Sequence, residues 1–97
     1  MSLFFFRLTP PRADFAQTMT QAEQQAMAAH QQYWQQLRRD GRVVVYGPVA
    51  DPEGVWGLGV LRAADRAEAL AIGENDPSVT AAVNIFDVFE ILGGTTG

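Results

Sequence analysis

The chain has 97 residues, no cysteine and a net charge of −4. Without cysteine it can form neither a disulfide nor a thiolate metal site. Its acidic balance argues against binding to nucleic acid or to an anionic membrane surface. The apolar N-terminus lacks a basic region and is too short for a signal peptide or a membrane span, so we expect a cytoplasmic protein.

The N-terminal half predicts a strand followed by a long helix. The aromatic run at residues 3–8 is typical of a strand and ends at two prolines. After a loop at residues 12–18, apolar side chains recur at helical spacing over residues 19–39, on a face centred on His30. Gly41 follows as the expected C-cap, so this helix is predicted to be amphipathic with one packed face.

The C-terminal half predicts three strands and a second helix. The pair Gly47-Pro48 is expected to end the second strand, and the turn sequence at residues 51–54 leads into the third. Asp65 and Glu68 have the spacing of a capping box, which predicts the start of the second helix. The expected strands span residues 42–46, 55–61 and 83–92.

The element order β-α-β-β-α-β predicts an α+β fold, a ferredoxin-like βαββαβ sandwich with a four-stranded antiparallel sheet and two helices on one face. We expect one domain over residues 1–97, with its core at residues 3–92 and a loose tail at residues 93–97. Three of the four strands are apolar on both sides, which would expose a patch opposite the helices. A second copy would cover that face, so we expect a homodimer, a dimeric α+β barrel.

His30 is the only histidine. An imidazole titrates near neutral pH, so His30 is a candidate general acid or base, with a packed side chain bonded to a backbone carbonyl as the alternative. An orienting carboxylate would favour catalysis. Asp76 also has the position of an N-cap, with Pro77 starting a helix, and Asp51 fits a hairpin turn. The candidate carboxylates are Asp40, Asp51, Asp76 and Asp87.

Glycines and aromatic residues suggest where a pocket would lie. Gly57 and Gly59 share one face of the third strand, which indicates either a close approach of backbone or ligand or room for large aromatic side chains. Trp34 and Tyr46 are candidates to line a pocket, with core packing as the alternative. No nucleotide-binding, zinc-protease or CxxC motif is present, and a single histidine without cysteine argues against a transition-metal site. We therefore predict no cofactor and no metal.

Several short motifs together resemble the YciI-like (YCII-related) family, over roughly residues 3–92. The family pattern places a helix histidine about eleven residues before a glycine that opens a strand. A glycine-proline pair then ends that strand, and an aspartate-proline pair follows the second helix. The matching features are His30, the run Leu37-Arg38-Arg39-Asp40-Gly41-Arg42-Val43-Val44, Gly47-Pro48 and Asp76-Pro77.

The resemblance implies a ferredoxin-like dimeric barrel with a site between sheet and helices. By this analogy His30 would be the acid/base and Asp76 its orienting partner, while Gly47 and Pro48 would shape the pocket wall. One branch of the family is similar to dehydrochlorinases of chlorinated hydroxyquinols, which suggests halide elimination or isomerisation on a small ring. The long loop at residues 9–20 and the short hairpin turn differ from some relatives and leave the substrate open.

The sequence leaves three functional interpretations. The first is a cofactor-independent enzyme, in which His30 moves a proton on a small organic molecule and Asp76 holds the imidazolium. The second is a non-catalytic small-molecule-binding module or accessory subunit. In the third, His30 and Asp76 serve only as core and cap. Because this fold hosts many activities, topology does not choose among them.

Overall fold

A computed structural model describes the whole chain, residues 1–97. Four strands and two main helices follow the predicted order, and two one-turn helices lie in the connections. The strands are β1 (Ser2–Thr9), β2 (Val43–Val49), β3 (Trp56–Ala63) and β4 (Ile85–Ile91). The helices are α1 (Phe15–Thr18), α2 (Gln21–Arg39), α3 (Arg66–Glu74) and α4 (Pro77–Thr80). None of these helices combines the length and the apolar character needed to span a bilayer.

The four strands form one antiparallel sheet in the order β2-β3-β1-β4. Phe5 on β1 lies opposite Val60 on β3 and Phe89 on β4, so the three strands share one register across the sheet. The inner strands β1 and β3 are flanked by β2 and β4. This arrangement confirms the ferredoxin-like fold predicted from the element order.

Alternate residues of β1 form the centre of the core. Phe4, Phe6 and Leu8 are buried because successive side chains of a strand point to opposite faces, and these three point to the helices. Trp34 of α2 packs on this layer with its ring 5.8 Å from that of Phe6. Ala69 of α3 is fully buried in the same cluster. Each large apolar side chain buried here stabilises the fold by about 1.5–3 kcal/mol.

Gly59 lets Trp34 lie directly against β3. A Cβ atom on Gly59 would come within 2.4 Å of Cη2 of Trp34, which is far too close for a real contact. On Gly57 it would meet the Leu8 side chain at 3.3 Å. At Gly59 the contacts support room for a large aromatic side chain, whereas Gly57 faces the aliphatic Leu8 and also lines the cavity described below. The close approach of Trp34 to β3 therefore depends on the absence of a side chain at Gly59.

The opposite face of the sheet carries no helix. Phe5 packs against Phe89 with ring centroids 6.3 Å apart, and the guanidinium of Arg7 lies 4.8 Å from the ring of Trp56. Phe89 is 56% exposed and Ile85 is 70% exposed. This open sheet face, as we call it, thus presents apolar side chains to solvent, as the two-sided apolar pattern of the strands predicts.

The end of β2 differs from the prediction. The strand does not end at Gly47-Pro48 but continues to Val49. Proline is tolerated because β2 lies at the edge of the sheet, where one side of the backbone has no partner strand. A bulge between Val43 and Val45 also shifts the register against β3. The position of the strand in the sheet, rather than its local sequence, decides where it stops.

The segment before α2 also differs from the prediction. The loop expected at residues 12–18 contains the one-turn helix α1, and α2 begins at Gln21 rather than at Met19. The Thr20 hydroxyl accepts from the Glu23 amide at 3.1 Å, and the Glu23 carboxylate accepts from the Thr20 amide at 2.8 Å. This capping box, which the sequence analysis missed, satisfies two amides at the helix start.

Candidate active site

His30 lies in the middle of α2, and its side chain is 14% exposed. Its Nδ1 atom is 2.7 Å from Oδ2 of Asp76, across a sequence separation of 46 residues. The bond links α2 to the start of α4. The interpretation of His30 as a core side chain bonded to a backbone carbonyl is therefore wrong, because its partner is a carboxylate. Of the four candidate aspartates, only Asp76 contacts this imidazole.

The hydrogen bond to Asp76 fixes the tautomer of the neutral imidazole. An ionised carboxylate only accepts hydrogen bonds, so Nδ1 of His30 carries the hydrogen and Nε2 keeps a free lone pair. His30 forms no other hydrogen bond, and it lines the cavity described below. A free basic nitrogen on a ring that a carboxylate holds in one orientation is an arrangement compatible with general acid–base chemistry.

Asp76 is 1% exposed, and both of its oxygens have two donors. Oδ1 accepts from the amide and from the hydroxyl of Ser78, each at 2.8 Å. Oδ2 accepts from His30 and, at 2.8 Å, from the indole Nε1 of Trp34. The bond from the Ser78 amide makes Asp76 the N-cap of α4, with Pro77 at the first helical position. Helix capping and contact with His30 are thus performed by the same side chain.

These contacts set the charge of the cluster. Burial by itself would raise the pKa of Asp76. The hydrogen bond and charge of His30, followed by the bond from Trp34, outweigh it and hold this pKa below the ordinary value of 3.8. Burial and then the nearby charge of Asp76 raise the pKa of Tyr33, whose hydroxyl donates to a carbonyl of α3 at 2.7 Å. At neutral pH the cluster therefore holds one carboxylate surrounded by donors.

Two further polar residues support Asp76 from behind. Ser78 is fully buried and Asn84 is 6% exposed. Nδ2 of Asn84 donates to the Ser78 hydroxyl at 3.0 Å and lies 3.5 Å from Sδ of Met27. Neither residue was predicted from the sequence. A serine and an asparagine beside a one-turn helix have the composition of an ordinary turn, so no local signal marks them.

A cavity of about 870 Å³ opens beside His30. It lies between α2, the neighbouring ends of β2 and β3, and the segment that contains α1. Its volume falls within the roughly 300–1,000 Å³ that is typical of small-molecule sites. The ring of Tyr46 stacks on that of Trp34, with centroids 5.9 Å apart. The residues predicted to bind substrate all line it: Trp34, Tyr46, Gly47 and Pro48.

Charged side chains also line this cavity. Arg38 and Arg39 come from the end of α2, and Asp51 comes from the turn between β2 and β3. Asp51 accepts from the Glu53 amide at 2.9 Å and from the Trp56 indole at 3.1 Å. These two bonds, the first more than the second, hold the pKa of Asp51 below its ordinary value. Asp51 therefore stabilises the hairpin turn, as predicted, and stays apart from His30.

An ion pair holds the segment before α2 against the cavity. The guanidinium of Arg12 donates to both oxygens of Glu23, at 2.7 and 3.0 Å, and to the side chain and carbonyl of Thr18, each at 2.7 Å. The bond to Arg12, and then the bond from the Thr20 amide, lower the pKa of Glu23 to about 2. The buried ring of Phe15 lies under the same guanidinium and lines the cavity.

The fold and the site together define a small α+β protein that places a histidine–aspartate pair at the wall of a cavity. No group of three or more histidine, cysteine, aspartate or glutamate side chains is arranged to hold a metal ion. The YCII-related domain matches residues 3–92, so the chain belongs to the YCII-related family. The family resemblance inferred from the sequence motifs is thereby confirmed.

One solved structure shows the same fold. It is 5-chloro-2-hydroxyhydroquinone dehydrochlorinase from Burkholderia phenoliruptrix, in complex with 2,5-dihydroxybenzoquinone. The two structures have a TM-score of 0.71, the similarity covers 95% of each chain, and 20% of the residues are identical. Similarity at this level of identity supports the shared architecture. Among curated proteins, no match was found.

Proposed function

We propose that the chain is an enzyme that acts on a small organic molecule without a cofactor and uses His30 as a general acid and base. One observation carries the proposal: the 2.7 Å bond from Nδ1 of His30 to the buried carboxylate of Asp76 leaves Nε2 free at a ligand-sized cavity. Asp76 would hold the ring in this tautomer and balance the charge of the imidazolium that forms.

The reaction would begin when Nε2 of His30 removes a proton from the bound molecule. Return of that proton to a ring carbon completes an isomerisation to the keto tautomer. If that carbon bears chlorine, loss of chloride from it, together with loss of a proton from a ring hydroxyl group, completes an elimination of HCl. Neither route needs an oxidant or a reductant. Proton transfer of this kind accelerates a reaction by about 10²–10⁴-fold. Exclusion of water by the aromatic wall would strengthen the electrostatic contribution of Asp76.

The aromatic and apolar lining of the cavity favours a flat ring as substrate. The ring of Tyr46 stacks on that of the nearly buried Trp34, and Pro48 adds an apolar surface beside them. A hydroxylated ring would combine apolar faces for this wall with acidic hydrogens for His30. The structural neighbour acts on a chlorinated hydroxyhydroquinone and binds 2,5-dihydroxybenzoquinone. Compounds of this class are therefore the first substrates to test.

Chloride release from 5-chloro-2-hydroxyhydroquinone tests the proposal directly. We expect the wild-type protein to release chloride and the variant His30→Gln to lose about 10²–10⁴-fold in rate. Gln25→Ala, an exposed position on the same helix, is the matched control and should keep the wild-type rate. The same mixtures in D₂O, followed by NMR, report exchange of ligand hydrogens and so detect an isomerisation without chloride release.

Two outcomes would contradict the enzymatic proposal. An unchanged rate in His30→Gln would show that another group moves the proton. Binding of hydroxylated rings by the wild-type protein with neither chloride release nor hydrogen exchange would indicate a non-catalytic binding module or accessory subunit. Circular dichroism of each variant establishes that any loss of rate does not come from unfolding.

We further propose that the protein works as a homodimer through the open sheet face. Phe89 and Ile85 are more than half exposed there, and burial of such a patch against a second copy would remove apolar surface from water. Light scattering should give twice the monomer mass. The variant Phe89→Asp should shift the protein to monomer. A monomeric wild-type protein at micromolar concentration would contradict the dimer but not the role of His30.

A further inference from the structure

Asn84 is a nearly buried polar residue that the chemistry of His30 and Asp76 does not use directly. It lies between α4 and β4, 6% exposed, and its side chain forms part of the cavity wall. Its backbone amide donates to the carbonyl of Ser78 at 3.0 Å, which holds the residue in place. A polar side chain fixed at the wall of a ligand-sized cavity can select what enters it.

The direction of the hydrogen bonds decides which end of the Asn84 amide faces inward. The carboxylate of Asp76 accepts, so the single hydrogen of the Ser78 hydroxyl points to it. The oxygen of that hydroxyl therefore accepts from Asn84, which requires the NH₂ group of Asn84 to face Ser78. The sulfur of Met27, the other neighbour of the same nitrogen, can also only accept.

The carbonyl oxygen of Asn84, Oδ1, then remains without a partner. No side chain or backbone amide of the chain donates to it, since both hydrogen bonds of this side chain use Nδ2. No fully buried side-chain oxygen or nitrogen lacks a partner, so Oδ1 keeps some accessible surface. An accessible acceptor on a residue that is otherwise buried in the cavity wall is positioned to meet a ligand.

We propose that Oδ1 of Asn84 accepts a hydrogen bond from a hydroxyl group of the ligand, so that the cavity selects hydroxylated rings over their ethers. This inference rests on the proposed function, because it assigns a substrate class to the same cavity. A ligand without a donor would leave the acceptor desolvated and unpaired, and that loss is how a polar group rejects close analogues. Asn84 is thus a specificity-determining residue rather than a proton-transfer group.

Ligand pairs that differ only in the hydroxyl group test this subsite without turnover. Hydroquinone and 1,4-dimethoxybenzene share the ring, but only hydroquinone donates. NMR titration of the Trp34 indole signal gives both dissociation constants. The selectivity ratio is the dissociation constant of the ether divided by that of hydroquinone. We expect this ratio to fall by about 3–10-fold in Asn84→Ala, which corresponds to the loss of one hydrogen bond. Asn75→Ala, at the other asparagine, which lies outside the cavity, should keep the wild-type ratio.

A second variant and a wild-type measurement keep the test decisive if Asn84→Ala does not fold. Asn84→Leu fills the same space without an acceptor and should show the same fall in the ratio. In the wild-type protein, the chemical shift of the Asn84 side-chain amide should change when hydroquinone is added and should stay unchanged when the ether is added. An unchanged ratio in either folded variant, an unmoved amide signal, or no binding of hydroquinone at millimolar concentration would overturn the subsite.

The two proposals fail separately. A protein that selects hydroxylated rings through Asn84 but turns none over would contradict only the enzymatic function. A protein that loses activity in His30→Gln but keeps the same selectivity ratio in Asn84→Ala would contradict only the subsite. The long-range proton–nitrogen spectrum of His30 shows whether the Asn84 variants disturb Asp76, since a disturbed carboxylate would change the Nδ1–H tautomer.

Discussion

Two carboxylates attach α2 to the segments around the cavity, and they do so in opposite surroundings. Asp76 is 1% exposed and accepts four hydrogen bonds, from His30, Trp34 and Ser78. The side chain of Glu23 is 17% exposed and accepts three, two of them from Arg12. Similar numbers of bonds therefore anchor the first turn and the middle of α2.

The difference between these clusters lies in what replaces a lost bond. Arg12 and Glu23 are both partly exposed, so water can solvate them when the ion pair opens, and such a pair adds little to stability. Water has no access to Asp76, so each missing donor leaves a buried charge less well satisfied. The Arg12–Glu23 ion pair thus holds one wall of the cavity in place, whereas the buried cluster around Asp76 fixes the orientation of the His30 imidazole.

Asp76→Asn should have the largest effect. The amide presents an NH₂ group where two other donors already point, either the amide and hydroxyl of Ser78 or the ring nitrogens of His30 and Trp34. We expect the free energy of unfolding to fall by about 2–4 kcal/mol. The catalytic rate should fall at least about 10²-fold, because the imidazolium loses its counter-charge. Urea denaturation and chloride release measure the two effects.

A matched control for this prediction is available at the end of α2. Asp40 is exposed and accepts from Gln36 at 2.9 Å. Asp40→Asn should change the free energy of unfolding by less than about 0.5 kcal/mol. Equal effects of the two substitutions would show that the burial of Asp76 is not what makes it sensitive.

Trp34→Phe should have the next largest effect. It removes one donor to Oδ2 of Asp76 but keeps His30, so stability should fall by about 1–2 kcal/mol and the catalytic rate by less than in Asp76→Asn. Trp56→Phe is the matched control, because its indole donates at 3.1 Å to Asp51, which is partly exposed and so less buried than Asp76. Thermal unfolding should rank Trp34→Phe below Trp56→Phe in stability. The reverse order would contradict the contrast between buried and exposed carboxylates.

The sequence predicted the fold well because local patterns determine it. The aromatic run of β1 indicates a strand, and the helical spacing around His30 indicates a helix with one packed face, without knowledge of distant contacts. The predicted strand end was wrong where the position of a strand in the sheet matters. Pro48 lies within β2 because that strand is at the edge of the sheet. The capping box of Thr20 and Glu23 has a recognisable sequence spacing, although it was not predicted.

The site was harder to predict than the fold. Periodicity placed His30 on the packed face, but nothing in the spacing selects Asp76 among four aspartates. The family resemblance made that choice, since a separation of 46 residues carries no distance information. Ser78 and Asn84 could not be found at all. Their importance comes from burial beside a charged group, which only the folded chain reveals.

Acid should weaken the buried cluster. The pKa of Asp76 in the folded protein lies below its ordinary value of 3.8. As the pH falls, the unfolded chain takes up the proton first, so the stability from Asp76 is present above pH 3.8 and is lost through the folded pKa. The difference in unfolding free energy between wild type and Asp76→Asn, followed by urea denaturation, should shrink below about pH 4. A difference that grows there would reverse the sign of the shift.

Arg12→Met should have the smallest effect on stability and the clearest effect on local motion. The change removes the cation that pairs with Glu23 but keeps a side chain of similar length over Phe15. Thermal unfolding should shift slightly, and the shift should diminish in high salt because salt screens exposed charges. Hydrogen exchange should rise at residues 10–20, which form one wall of the cavity.

Arg39→Met, whose guanidinium reaches only Gln36 at 3.3 Å, is the control. If Arg12→Met destabilised the protein as much as Asp76→Asn, the ion pair would be part of the core of the fold, and access of water would not separate the two clusters.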